Sequence, residues 1–225
     1  MSWVVINASA VAAALAALAP AEVVTGCRAI TPADLETLHP VEAEAVRRAV
    51  ATRQHEFATG RALLRDLIGR DVPIAVRGDR RPDLPIGVVG SLAHSATLAV
   101  AAVAATESIA ALGVDLEPTT PLDADIVATI VRPDEMTARA GLDPHLAFTL
   151  KEAVYKAWSG RGGRLLDHHD VRLDVRFDDD RGGTFTALID NADESTGVWS
   201  RAADHWLALV VTRAPGSLAP GERGT

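Results

Sequence analysis

Glu152 and Lys156 stand four residues apart in Phe148-Thr149-Leu150-Lys151-Glu152-Ala153-Val154-Tyr155-Lys156-Ala157-Trp158. The stretch holds no helix breaker, and Asp143-Pro144 ahead of it supply a cap and a first-turn proline. Leu146, Leu150, Ala153, Val154 and Ala157 recur at helical spacing as an apolar face, which puts Thr149, Glu152 and Lys156 together on the other. Alone, such a Glu–Lys pair is a solvated ion pair contributing roughly 0.3 kcal/mol. A second acidic pair changes its weight. Asp115 and Glu117 lie two apart in the strand-like run Gly113-Val114-Asp115-Leu116-Glu117-Pro118, so both carboxylates point one way. Like charges so close repel and raise each other's pKa unless something positive sits between them. A divalent cation meets that need, and oxygen donors select magnesium or a similar hard ion. Asp-x-Glu needs a third ligand to become a site, which requires strand and helix to meet.

Two arginines and a histidine extend the chemistry. A helical pattern from Val41 to about Gly69 carries Val46, Val50, Phe57, Leu64 and Ile68 along one stripe, with Arg53 inside it and Arg61 at its edge. A buried arginine without a partner is costly, so Arg53 should meet either a core carboxylate or a bound anion. His94 falls where a strand ends and a turn begins, a position from which side chains face ligands. The loop Arg77-Gly78-Asp79-Arg80-Arg81-Pro82-Asp83 is basic and rich in turn residues, which alone reads as a solvated hairpin tip.

The elements that must position these groups follow from pattern. The chain has 225 residues, 48% of them hydrophobic, enough for one large domain or two small ones. A formal charge of −8 argues against general nucleic-acid binding, and the single Cys27 fits a reducing cytoplasm. The alanine-rich run Ala8 to Ala19 has no basic residue before it, which excludes a signal peptide, and it is too short to span a bilayer; a short amphipathic or buried helix is the reading. Thr31-Pro32 opens a helical turn. Asp71 to Val76 is a short apolar segment with a proline, an edge strand at most. Ile86 to Ala93, Thr97 to Ala104 and Ser108 to Leu116 alternate as strands with short connections, which predicts an antiparallel meander. Asp123 to Val131 reads as a short helix and Arg132 to Glu135 as a break. Strands follow over Val171–Phe177, Thr184–Ile189, Val198–Ala202 and Trp206–Thr212, with a solvated acidic turn at Asp178-Asp179-Asp180. This order predicts an α+β fold of two packed halves, 1–112 and 113–213, with the Asp115 pair at their junction and a disordered tail over 214–225.

These motifs resemble those of the 4'-phosphopantetheinyl transferases. Gly113 to Pro118 and Phe148 to Trp158 are similar to the family's two signature motifs. Val88-Val89-Gly90-Ser91-Leu92-Ala93-His94-Ser95 is similar to the Gly-Ser-His strand of its enterobactin- and surfactin-synthetase subfamily. Arg53 through Arg61, with Glu56-Phe57 and Gly60-Arg61, looks like that subfamily's first motif. Four motifs in order, over about residues 30 to 212, carry the resemblance. Ser95 replaces a common cysteine, the 78–85 loop is short, and Ser159-Gly160-Arg161-Gly162-Gly163 stands where an aromatic and a proline are usual.

The resemblance implies a monomeric pseudo-dimer of two similar α+β halves with coenzyme A in the cleft between them. It implies magnesium held by Asp115, Glu117 and Glu152, and coenzyme A contacted by Arg53, Arg61, Arg80, His94, Lys151 and Lys156. Glu152 and Lys156 would be the catalytic residues. The expected activity is transfer of the phosphopantetheine arm to a serine of an acyl- or peptidyl-carrier protein, in the cytoplasm, with no nucleic acid or membrane involved; polyketide, non-ribosomal peptide or siderophore biosynthesis is the expected setting. Carrier proteins are usually acidic, as this chain is, so docking must use a local apolar or basic patch. The alternative is a non-catalytic module that binds coenzyme A or a carrier protein; its weakness is that it has no use for all of Asp115, Glu117, Glu152 and Lys156. An unrelated magnesium phosphotransferase would need a Gly-rich phosphate loop that the sequence lacks.

Overall fold

The strand over Leu98–Ala105 is small and apolar at nearly every position, the pattern of a strand covered on both faces. The computed structural model, which describes residues 3–138, 142–190 and 193–216, covers it in that way. In chain order the elements are α1 (Trp3–Leu18), β1 (Val23–Ala29), a 3₁₀ turn (Pro32–Thr37), α2 (Pro40–Val46), α3 (Ala51–Ile68), β2 (Val88–His94), β3 (Leu98–Ala105) and β4 (Ile109–Pro118). Then come α4 (Ala124–Ile130), α5 (Pro133–Ala138), α6 (Pro144–Gly160), a 3₁₀ turn (His168–Asp170), β5 (Val171–Phe177), β6 (Gly182–Ile189), β7 (Asp193–Ala202) and β8 (His205–Arg213). The fold class is α+β, as expected.

Two antiparallel sheets carry it, one ordered β1-β3-β2 and the other β4-β8-β7-β6-β5. Ala99, Ala101 and Val103 on one face of β3 pack with Leu63 and Leu64 of α3. Leu98, Val100 and Ala102 on the other face join Leu112, Val114 and Leu116 of β4, Leu207 and Leu209 of β8, and Val11 and Leu15 of α1 in the central core. The reverse face of β8, with Trp206, Ala208 and Val210, packs under Leu146, Leu150, Ala153 and Val154 of α6. No helix among the described residues is long and apolar enough to cross a membrane.

Four expectations for individual elements give way here. The β2-β3-β4 meander does not form, because β1 occupies the second edge of β3, and β4 pairs instead with β8. Residues 112 and 113 both lie inside β4, whose paired residues all join β8. The long helix from Val41 is two helices. Gln54 donates its side-chain amide to the carbonyls of Val46 and Ala49, satisfying the end of α2 and leaving Val50 extended and 74% exposed. Val76 makes only an isolated bridge to Pro82 rather than an edge strand. Pro133, expected to break the chain, instead begins α5. Gly69 caps α3 in the left-handed region as its sequence suggests. The part of the tail beyond residue 216 lies outside the described residues.

Candidate active site

Strand β4 and helix α6 do meet. Asp143 caps α6, accepting from the amides of His145 and Leu146, and the helix runs across β4 over Gly113. Only a glycine fits there: a Cβ at 113 would fall on the carbonyl oxygen of Ala153. That close approach brings Lys156 Nζ to 2.6 Å from Asp115 Oδ1, where it donates also to the carbonyl of Val114 at 3.1 Å. The second Asp115 oxygen, Oδ2, is buried with no hydrogen-bond partner. Burial pushes the Asp115 carboxyl up, with Lys156 pulling against it. Glu117 is pushed up to about 7, first by burial and then by the charge of Asp115, with Glu152 adding to it. Glu152 itself accepts from His168 Nε2 at 3.2 Å.

Helix α3 and strand β2 supply the facing wall. Ser91 Oγ accepts the Val114 amide at 3.0 Å and ties β2 to β4 beside the acids. At the end of β2, His94 Nε2 lies 2.6 Å from an Arg53 guanidinium nitrogen and 3.6 Å from Glu56. Burial lowers the His94 pKa; Glu56 opposes this, and the charges of Arg53 and Lys156 assist it. A neutral His94 accepting from Arg53 is the consistent arrangement. Because Lys156 acts on His94 as well as on Asp115, one ammonium links the two walls electrostatically.

Other expected residues fare differently. Arg53 is half-exposed in the first turn of α3 rather than buried in a stripe, because the helix starts only at Ala51. Of the two expected arginines the buried one is Arg61, 3% exposed, donating to the Ile74 carbonyl at 2.7 Å with its guanidinium 4.2 Å over the Phe57 ring. Burial lowers its pKa to about 10, and no carboxylate pairs with it among the described residues. Arg80 is exposed, with left-handed backbone at φ 69°. Its neighbour Arg81, paired with Asp79, is the one whose side chain reaches the end of α6 near Gly160. Lys151, expected to contact coenzyme A, is 1% exposed and gives its three donors to Glu135, the Ile130 carbonyl and the His168 carbonyl. That engagement turns it away from the acids, so its place in the fold is structural. Thr149 is also buried, its hydroxyl donated back to the His145 carbonyl. His168 was not singled out by the sequence, where His168-His169 carries no spacing signal.

Among the described residues no three His, Cys, Asp or Glu side chains converge as a metal site. Asp115 is turned to Lys156 and Glu152 to His168. The donor chemistry nevertheless fits a hard divalent cation: an orphaned buried carboxylate oxygen, a glutamate held up near 7, and a third carboxylate close enough to act on both. A carboxyl whose folded pKa exceeds its unfolded value holds its proton more tightly when folded. Ligand-free stability is therefore expected to fall as pH rises from about 4.5 to about 7. With magnesium chelated, stepped-pH calorimetry should show the wild-type melting temperature dropping across that interval, and Glu117→Gln dropping less. Equal slopes would clear Glu117 of the effect.

An α+β chain with an acidic strand, a Glu–Lys helix and a facing Arg–His wall has the equipment of an enzyme of phosphate esters. Comparison with known proteins narrows this. Residues 41–104 match the family described as 4'-phosphopantetheinyl transferase N-terminal domain, and residues 111–210 the 4'-phosphopantetheinyl transferase superfamily. The chain is 40% identical over 190 residues to 4'-phosphopantetheinyl transferase Svp of Streptomyces mobaraensis, covering 78% of this chain and 76% of that one. It is 32% identical over 167 residues to 4'-phosphopantetheinyl transferase Npt of Nocardia iowensis, covering 68% and 75%. PptT of Mycobacterium tuberculosis, another 4'-phosphopantetheinyl transferase, is 32% identical over 149 residues, covering 62% and 66%. The chain belongs to the 4'-phosphopantetheinyl transferase superfamily.

Proposed function

We propose that this chain transfers the 4'-phosphopantetheine arm of coenzyme A to a serine hydroxyl of an acyl- or peptidyl-carrier protein, releasing adenosine 3',5'-bisphosphate. The observation that carries this is the meeting of Asp115, Glu117, Glu152 and Lys156 at one β4–α6 contact, with His94 and Arg53 on the facing wall. Magnesium there would be held by Asp115, Glu117 and Glu152 and would neutralise charge on the coenzyme A pyrophosphate. Arg53 and His94 bind and orient the adenosine-bisphosphate end, with Arg61 and Arg80 as further phosphate candidates. Glu152 takes the proton from the carrier serine. The serine oxygen then bonds to the phosphorus carrying the pantetheine arm, and the bond from that phosphorus to the bridging oxygen breaks. The electron pair leaves on that oxygen, beside which Lys156 holds positive charge. A monomer in the reducing cytoplasm suits this reading, since one chain supplies both walls.

The test is intact mass. Incubation with coenzyme A, magnesium and a panel of apo-carrier proteins should add one phosphopantetheine to at least one carrier. Coenzyme A binding without any mass gain would favour the non-catalytic module instead. The binding wall has its own expected result. Arg53→Ala and His94→Ala should each weaken coenzyme A binding about 10-fold, the loss of a charge-assisted hydrogen bond of about 1.5 kcal/mol. Calorimetry that finds unchanged affinity in either folded variant would remove that residue from the wall.

A further inference from the structure

We propose that His168 is the positioning residue for Glu152, a role that rests on the transferase reading above. His168 Nε2 lies 3.2 Å from Glu152 Oε1, and with Glu152 ionised that nitrogen is the donor. The imidazole is itself mounted from several sides. Its ring stacks on Phe148, one turn before Glu152 on α6, at 5.4 Å between centroids and 34° between planes. Its backbone carbonyl accepts from the buried ammonium of Lys151 at 3.0 Å. The same ammonium binds Glu135 at 2.8 Å, whose other oxygen accepts the Leu173 amide at the start of β5. Asp167 and Asp170 close a reciprocal cap around the turn, and Arg132 donates to the carbonyl of His169.

This mount has no other evident purpose at its tip. Lys151 and Glu152 are consecutive, so one points into the α5–β5 side and fixes the His168 backbone, while the other meets the His168 ring. A carboxylate at the edge of a cleft, with several rotamers open to it, acts well only when held in one. A hydrogen-bonding neighbour that is itself locked supplies this hold, and loss of such a neighbour typically lowers metal affinity or activity by about 10- to 100-fold.

Two substitutions separate the role from mere folding. His168→Phe keeps a ring against Phe148 and removes the donor; His168→Gln restores an N–H of similar reach. In His168→Phe, kcat for carrier modification should fall about 10-fold or more, with KM for coenzyme A nearly unchanged. Independently of activity, calorimetric titration of coenzyme A at stepped magnesium should need about 10-fold more magnesium for half its full effect. His168→Gln should recover part of both. In a Glu152→Gln background, adding His168→Phe should cost little further, since the two act as a unit. Should the Phe variant fail to fold, His168→Leu takes its place with the same outcomes. Wild-type kcat and wild-type magnesium dependence in a folded variant, or full additivity with Glu152→Gln, would overturn the proposal while leaving the transferase reading intact. Absence of transfer by the wild type would overturn both.

Discussion

Glu152→Gln is expected to bind coenzyme A about as the wild type does and to turn over about 100-fold more slowly or worse, the scale of general-base catalysis. The amide keeps the side chain's size and one oxygen that can serve as a ligand, but it cannot take the serine proton. Glu152 is partly exposed against His168, and its charge raises the pKa of both Asp115 and Glu117, so it shares their field. A cation bound to Glu152 would weaken it as a base, which makes proton transfer through a water an admissible route. Turnover should be measured at saturating coenzyme A and magnesium, with folding checked separately. Full rescue by extra magnesium would make Glu152 a ligand alone. Near-normal turnover with magnesium chelated would dismiss both of its roles.

Gly113→Ala is expected to damage fold and function together. The added methyl would sit on the carbonyl oxygen of Ala153 and 2.9 Å from the amide nitrogen of Ala157, both backbone atoms of α6. No rotamer relieves such a clash; α6 must move off β4. The stability cost should reach about 3 kcal/mol, the upper end for overpacking. The same shift pulls Lys156 from its 2.6 Å contact with Asp115 and carries Glu152 with it. Misplacement of catalytic groups by about 1 Å can cost about 100-fold in rate. Urea unfolding and carrier modification would measure both effects. Gly78→Ala is the control, since a Cβ there meets nothing within 4 Å. A Gly113→Ala protein with wild-type stability and turnover would mean that α6 does not need its close seat on β4.

Much of this was legible because local pattern and tertiary fate agree. The capped, breaker-free run to Trp158 is α6, and the alternating runs of the second half are β5 to β8 within a few residues, although β7 starts five earlier. Asp115 and Glu117 could be placed on one side from their spacing alone. What failed was non-local. Nothing in Val23–Ala29, with Gly26 and Arg28 inside it, announces a strand, yet its pairing with β3 sends β4 to the other sheet. The gap between α2 and α3 has no proline or glycine to mark it, and a glutamine side chain stabilises it. Lys151 is expected at coenzyme A only through the family resemblance, while Lys156 shares the Glu152 face by its spacing. Five residues apart, they lie about 140° apart around the helix, which buries the first on Glu135 and leaves the second on Asp115. His168 could be found only through its distance to Glu152.

The pairing of β4 with β8 also sets a timetable. Ile109–Pro118 takes its main-chain partners from His205–Arg213, the last strand among the described residues, with Asp115 opposite Ala208 and Glu117 opposite Trp206. On the ribosome, the acidic strand emerges some ninety residues before the strand that holds it. Contacts so distant in sequence close late and slowly. The three-stranded sheet can assemble while the carboxylates still lack their frame. The β4–α6 site thus takes its frame only once β8 has emerged, and a chain cut short within β8 would keep every residue of the signature motifs and leave β4 without its sheet partner.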